Sequence, residues 1–332
     1  MNKFVSLIVL ILSSFHFSLL YSQWEPDILG DGFKMRYIDQ GKDYSGFVRS
    51  TVVRLRAENK SSKRGVLYIH GFNDYFFQKE MAEKFAHHDY NFYAVDLRKY
   101  GRSLMSGQKA YQVRNLKEYF PDIDSTLMIM KAEGVDSVVM MGHSTGGLIA
   151  SYYMALNQPK VIDALILNSP FLDWNLGKLE IAVPFVSGFG YFFPCVNIPQ
   201  GGSVYGESID SHYHGEWNYN NEWKKHDSEV DAGWVRAIDK AQTYLKKHPF
   251  EIHVPILLMY SSSSYTKGEW SEEAQRSDAV LDVKDIKRYG LRLGDNVTPV
   301  KVTGGLHDLF LSSKNVRLPL YEYVFYWLSE NF

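Results

Sequence analysis

Residues 137–150 read Ser-Val-Val-Met-Met-Gly-His-Ser-Thr-Gly-Gly-Leu-Ile-Ala, an apolar run ending in Gly142-His143-Ser144-Thr145-Gly146 and passing into a helical pattern. Gly-x-Ser-x-Gly between a strand and a helix puts the serine on a tight, strained turn, with its hydroxyl above the sheet edge. Flanking glycines let strand and helix approach closely. Ser144 is the candidate nucleophile. A serine hydroxyl needs a positioned base, and among the eleven histidines His307 stands out. It follows the last strand-like run, Pro299 to Val302, in the loop Thr303-Gly304-Gly305-Leu306-His307-Asp308, just before a closing helix. A carboxylate must orient that imidazole. Beyond the strand ending near Tyr260 come Glu269, Glu272, Glu273, Asp278 and Asp282; Asp278 is the first choice and Asp282 the alternative. The Thr145 N–H at a helix start and the Phe72 N–H in His70-Gly71-Phe72-Asn73-Asp74 are placed to receive an oxyanion. Such a set performs acyl transfer.

These residues need a scaffold that brings distant parts of the chain to one edge. Short apolar runs recur at 65–70, 91–96, 137–142, 164–168, 255–260 and 299–302, nearly without polar alternation. That pattern marks strands buried on both faces of a parallel sheet. Stretches with helical spacing lie between them, at 78–88, 116–133, 147–157 and 318–328. Alternation of this kind predicts a wound α/β fold with a mostly parallel central sheet and helices on both faces. Upstream, 33–39 and 47–58 read as an antiparallel pair turning at Gly41 and Gly46. From 171 to 247 the rhythm breaks into aromatics, Gly and Asn, and the interval reads as a cap or lid insertion over the carboxyl edge of the sheet, where ligands bind in such folds. The expected organisation is a leader at 1–22, core at 23–170, cap at 171–247 and core again at 248–332.

Composition narrows the classes. The 332 residues are 45% hydrophobic and 22% charged, with 36 Lys+Arg against 38 Asp+Glu, as in a soluble globular protein without a basic surface for nucleic acid. One cysteine, Cys195, excludes intrachain disulfides and Cys-based zinc sites. Lys3 followed by an apolar run to Leu12 and a more polar stretch to Ser22 reads as a cleaved export leader, hence a periplasmic or secreted protein. An uncleaved N-terminal anchor is the rival, weakened by Ser13, Ser14, His16 and Ser18.

The segments His70-Gly71-Phe72, Asp96-Leu97-Arg98-Lys99-Tyr100-Gly101-Arg102-Ser103, Gly142 to Gly147 and Gly305 to Asp308 together resemble the α/β-hydrolase superfamily, in its monoacylglycerol lipase, lysophospholipase and serine aminopeptidase-like (Hydrolase_4-type) branch. Lys99 departs from the first glycine of the family's Asp-x-Arg-Gly-x-Gly-x-Ser turn. The resemblance implies the chain order Ser, acid, His. The family's Asp-x-apolar-apolar-Asp-Pro, which Asp278-Ala279-Val280-Leu281-Asp282-Val283 resembles with Val283 in place of the proline, favours Asp278. It implies a metal-free serine hydrolase cleaving carboxylic esters through an acyl-enzyme, with no cofactor and no obligate protein partner.

The cap is expected to shape the site. Phe72, His143, Trp217 and Trp223 are assigned to substrate contact, under an aromatic cover that also holds Phe185, Phe189, Phe192 and Trp234. It suits a small-molecule acyl ester and peripheral contact with lipid. Two other functions are carried alongside. An aminopeptidase would use Glu207, Asp210, Glu216 or Glu222 to grip an amine; a non-catalytic binding protein would normally have lost Ser144 or His307. His212, His214 and His226 lack the spacing of a zinc set, so no metal is assigned.

Overall fold

The computed structural model describes residues 23–198, 204–225 and 229–332. The leader-like segment 1–22 and His226 lie outside the described residues. Eleven strands and eight α-helices occur in the described chain: β1 (Glu25–Pro26), β2 (Lys34–Asp43), β3 (Gly46–Leu55), β4 (Arg64–Ile69), α1 (Lys79–His87), β5 (Asn91–Asp96), α2 (Phe120–Ala132), β6 (Ser137–His143), α3 (Thr145–Asn157), β7 (Ile162–Asn168), α4 (Val183–Phe192), β8 (Asn197–Ile198), α5 (Val204–Ile209), β9 (Val230–Asp231), α6 (Ala232–Lys247), β10 (Ile256–Ser261), α7 (Val283–Gly290), β11 (Val297–Val302) and α8 (Lys314–Asn331). Nine strands form one sheet in the order β1-β2-β3-β5-β4-β6-β7-β10-β11. From β5 to β11 every neighbouring pair is parallel; β1, β2 and β3 add an antiparallel edge. This is the expected mostly parallel α/β sheet.

The apolar strands are buried on both sides because alternate residues serve two cores. In β4, Leu67 and Ile69 pack toward α2, α3 and α6, in one cluster with Met130, Leu148 and Ile238. Val66 and Tyr68 pack toward α1 and α8, with Met81, Phe85, Leu320 and Val324. The chain leaves β4 for β5 on one side and returns to β6 on the other, so β4 and β6 lie side by side with Ile69 opposite Gly142. Loops diverge there, which opens a crevice at the carboxyl ends of the strands.

Two expectations change. The last helix begins at Lys314, four residues before the expected start, because Pro319 sits inside the helix and not at its first turn. Within the interval 171–247, residues 232–247 form a sixteen-residue crossover helix between β7 and β10. Asp231 caps it by accepting from the Trp234 N–H. Its buried face, with Val235, Ile238, Ala241 and Leu245, has the i, i+3, i+4 spacing of an amphipathic helix. The irregular cap elements, α4, the β8–β9 ribbon and α5, precede it. Among the described residues, no helix is long and apolar enough to cross a membrane.

Candidate active site

β6 ends at His143, and Ser144 enters the turn with φ 51° and ψ −118°. That backbone conformation costs about 1–3 kcal/mol and persists only where its surroundings impose it. Here they do. The Ser144 N–H donates to Asn168 O (3.0 Å), while Ser144 O accepts from the Leu148 and Phe171 N–H groups (3.1 and 3.0 Å). A Cβ on Gly146 would lie 2.3 Å from Ile69 O, and one on Gly142 would lie 2.6 Å from Gly146 O. The glycines are therefore there for close backbone approach.

His307 reaches this turn from the loop after β11. Its Nε2 is 2.9 Å from Ser144 Oγ, and its Nδ1 is 2.9 Å from Asp278 Oδ2. The tautomer that satisfies both partners has Nδ1–H donating to the carboxylate and Nε2 accepting from the serine. All three side chains are buried. Asp278, not Asp282, is the partner. Asp282 caps α7, accepting from the Lys284 N–H (2.9 Å). The long delay between β10 and the acid is resolved by a return of the chain. After leaving the sheet it comes back so that the Asp278 N–H donates to Ser263 O and the Tyr265 N–H to Asp278 O (2.9 and 2.7 Å). Asp278 is thereby paired with Ser264, three residues past the end of β10. Its Oδ1 accepts from the Val280 and Leu281 N–H groups (2.8 Å each), which aims Oδ2 at the imidazole.

Three buried residues that the sequence did not single out hold the histidine loop. Asn168, at the end of β7, donates through Nδ2 to Asp308 Oδ1 (2.7 Å) and accepts from the Leu309 N–H (3.2 Å). Gln78 donates to Asp308 Oδ2 (2.7 Å). A polar residue closing an apolar strand was the available signal for Asn168.

Phe72 and Thr145 both line a cavity of about 430 Å³ together with Ser144. A Cβ on Gly71 would lie 3.2 Å from Ser144 Cβ, so the Phe72 loop runs directly against the Ser144 turn. Neither the Phe72 nor the Thr145 amide donates to another group among the described residues. Apart from Asn175 the remaining wall is apolar, with Phe171, Trp174, Leu179, Val183, Trp234 and Leu281 among its residues.

Three substrate-contact assignments are corrected. His143 does not line the cavity; it is buried beside the turn with Nδ1 3.2 Å from Asn168 O. Burial pushes its pKa below the ordinary value, against the pull of the Asp308 carboxylate. Trp217 donates through Nε1 to Leu311 O (2.9 Å) and meets Phe77 edge-on, and Trp223 meets Tyr75 edge-on. Both indoles fasten the cap to the body. The indoles facing the cavity are Trp174 and Trp234. The four cap carboxylates also lie off the cavity wall; Glu216 is paired with Arg317 and Asp210 with His212.

The sheet order, the strained serine turn and the order Ser, Asp, His define an α/β-hydrolase. Residues 60–265, more than half of the chain, match the family described as Serine aminopeptidase, S33 (Hydrolase_4), and the chain belongs to that family. It is 30% identical over 150 residues to Epoxide hydrolase 4 of Mus musculus, covering 43% of this chain and 39% of that protein; the match spans about two fifths of that relative's length. In fold it is similar to a soluble variant of monoglyceride lipase from Saccharomyces cerevisiae, solved with a substrate analog. The TM-score there is 0.67 at 15% identity, over 96% of this chain and 100% of that one. It is also similar to the Paleococcus ferrophilus monoacylglycerol lipase, with TM-score 0.63 at 14% identity over 85% and 98% of the two chains.

Proposed function

We propose that this protein is a serine esterase that hydrolyses carboxylic esters of apolar acyl chains through an acyl-enzyme. Ser144 Oγ attacks the ester carbonyl as His307 Nε2 takes its proton, and Asp278 stabilises the imidazolium. The oxyanion is received by the Phe72 and Thr145 amides at the positive end of α3. Collapse expels the alcohol with the proton from His307; water, deprotonated by the same imidazole, then releases the acid. The observation that carries the substrate class is the cavity beside Ser144, whose wall is apolar but for Asn175 and the serine turn and includes no carboxylate. An aminopeptidase needs an anion there for the substrate's ammonium. The names of the two lipases it resembles in fold point the same way.

Nine of the nineteen exposed large apolar side chains among the described residues lie between 176 and 196. Leu176 and Leu179 are among the cavity-lining residues, and the other seven lie off the cavity wall on the same segment, which also lines it with Val183 and Val186. A peripheral contact with lipid at this rim, delivering acyl chains into the cavity, belongs to the same proposal. Export by a cleaved leader belongs to it as well, and N-terminal sequencing of the mature protein checks that.

The test is kcat/KM for nitrophenyl esters from two to sixteen carbons, against amino-acid arylamides. Each methylene accepted by the cavity should raise kcat/KM by about three- to fourfold, from ~0.8 kcal/mol per buried CH₂. Arylamides cleaved as well as the best ester would overturn the substrate class.

A further inference from the structure

Three consecutive residues of the loop after β4, Asn73, Asp74 and Tyr75, are tied to one segment of the cap. The Asn73 side chain accepts from the Lys225 N–H (2.9 Å) and donates to Lys225 O. Asp74 accepts from Lys224 Nζ (3.0 Å), both side chains being buried. Tyr75 accepts through its hydroxyl from the Asn220 N–H (2.7 Å). Phe72, immediately before them, lines the cavity and is the residue whose amide is assigned to the oxyanion. Its ring is wedged between Tyr111 and Trp234, with centroids 5.0 and 4.8 Å away.

Asn73 adopts a left-handed backbone, with φ 48°, which costs a residue with a side chain unless its contacts compensate. Asn73 Oδ1 also accepts from the Tyr111 hydroxyl (2.7 Å), so two of the side chain's three hydrogen bonds are made to Lys225. The Lys224–Asp74 pair contributes geometry more than stability. A desolvated ion pair rarely gains net energy over an apolar pair, yet it tolerates one arrangement and few others.

We infer that the cap segment 220–225 is a clamp that positions the Phe72 amide for the oxyanion. Lys224, Asn73 and Asp74 are accordingly positioning residues, acting through the loop and touching no substrate. This rests on the acyl-transfer mechanism proposed above. The cap thus does two things at once: α4 walls the acyl cavity, and the 220–225 segment completes the oxyanion site. A cap displaced from the body would leave the Ser144–His307–Asp278 hydrogen bonds intact and the oxyanion donors misaligned. Oxyanion stabilisation is sensitive to such shifts, since one donor carries about 10²–10³ in kcat.

The test is hydrolysis of a nitrophenyl ester by Lys224→Met, Asn73→Gly and the double variant, with rates expressed per serine titrated by a fluorophosphonate. Glycine suits the left-handed backbone, so Asn73→Gly removes the clamp without adding strain or stranding a charge; it decides alone if Lys224→Met folds poorly. Each single variant should lose about tenfold or more in kcat per titrated site, with KM within about twofold. The double variant should lose far less than the product of the two, because both loosen one loop. Unchanged kcat per titrated site, whatever the melting temperature does, overturns the clamp. So does a rise in KM with kcat retained, which would make the segment part of the cavity wall. Wild-type protein that hydrolyses the ester without being titrated overturns the acyl-transfer mechanism and the clamp with it.

Discussion

The buried aspartate behind His307 is the residue on which two readings of the sequence diverged, and the two choices predict different phenotypes. Asp278→Asn should lower kcat by about 10⁴, as loss of the orienting carboxylate puts the imidazole in the wrong tautomer. Asp282→Ala should leave kcat nearly unchanged and lower stability by about 1 kcal/mol through loss of a helix cap; parallel kinetics and thermal melts read both. His143 makes a separate prediction. Its pKa is depressed in the fold by burial, so the unfolded chain takes up the proton first as pH falls. Its contribution is thus complete above about pH 6.5 and declines below it, by at most about 1.4 kcal/mol per pH unit. In His143→Gln the fall of Tm between pH 6.5 and 5 should be shallower than in the wild type. Ser144 and His307 were legible because local chemistry marks them, by glycines in one case and by position after the last strand in the other. Asn168 and Asp308 were not, because their hydrogen bonds join β7 to the histidine loop and no local pattern announces that.

Elements carry the strain that aims the Ser144 hydroxyl. At Gly146 a Cβ would meet two backbone carbonyls, Ile69 O and His70 O, at 2.3 and 2.4 Å, and backbone cannot give way as a side chain does. Gly146→Ala should therefore lose about 3 kcal/mol and the esterase activity with it, measured by denaturant unfolding beside the rate. The turn after β5 shows a different solution. Lys99 takes a positive φ of 65° where related turns use glycine, and its ammonium pairs with Asp43 at 2.6 Å. Burial works against ionisation of Asp43, but the hydrogen bonds from Lys99 and Ser45 outweigh it and leave the pKa below the ordinary value. Lys99→Ala keeps the strained backbone and leaves Asp43 with the Ser45 hydrogen bonds but no cation, so it should destabilise by about 2 kcal/mol in urea unfolding at neutral pH. Part of that difference should vanish as pH falls through the Asp43 titration, where the carboxyl protonates. Strands and most core helices were legible because burial on both faces leaves an unbroken apolar run. The helix 232–247 was obscured by the aromatic residues around it, although its own periodicity was present.

At the scale of the molecule, the sheet order gathers Ser144, Asp278 and His307 from the ends of β6, β10 and β11, and the cap roofs them with apolar side chains. Which aromatics would form that roof could not be read from the chain, since Trp217 and Trp223 differ from Trp174 and Trp234 only in where tertiary packing sends them. The exposed rim makes its own prediction. Phe185 and Phe192 each present most of their surface to solvent, 77% and 73%. A phenylalanine contributes about 1.5–3 kcal/mol when fully removed from water, so replacing both by serine should weaken binding to phosphatidylcholine vesicles by at least tenfold in a sedimentation assay. Hydrolysis of a short soluble ester should be unchanged. Equal vesicle binding by both forms would contradict a lipid-facing cap. Covalent acyl transfer at one hydroxyl is the core of the proposed function, and intact-protein mass spectrometry after reaction with a fluorophosphonate tests it most directly. One adduct per chain, mapped to the peptide containing Ser144 and absent from Ser144→Ala along with ester turnover, is the predicted outcome; turnover surviving in Ser144→Ala, or an adduct on another residue, would contradict it.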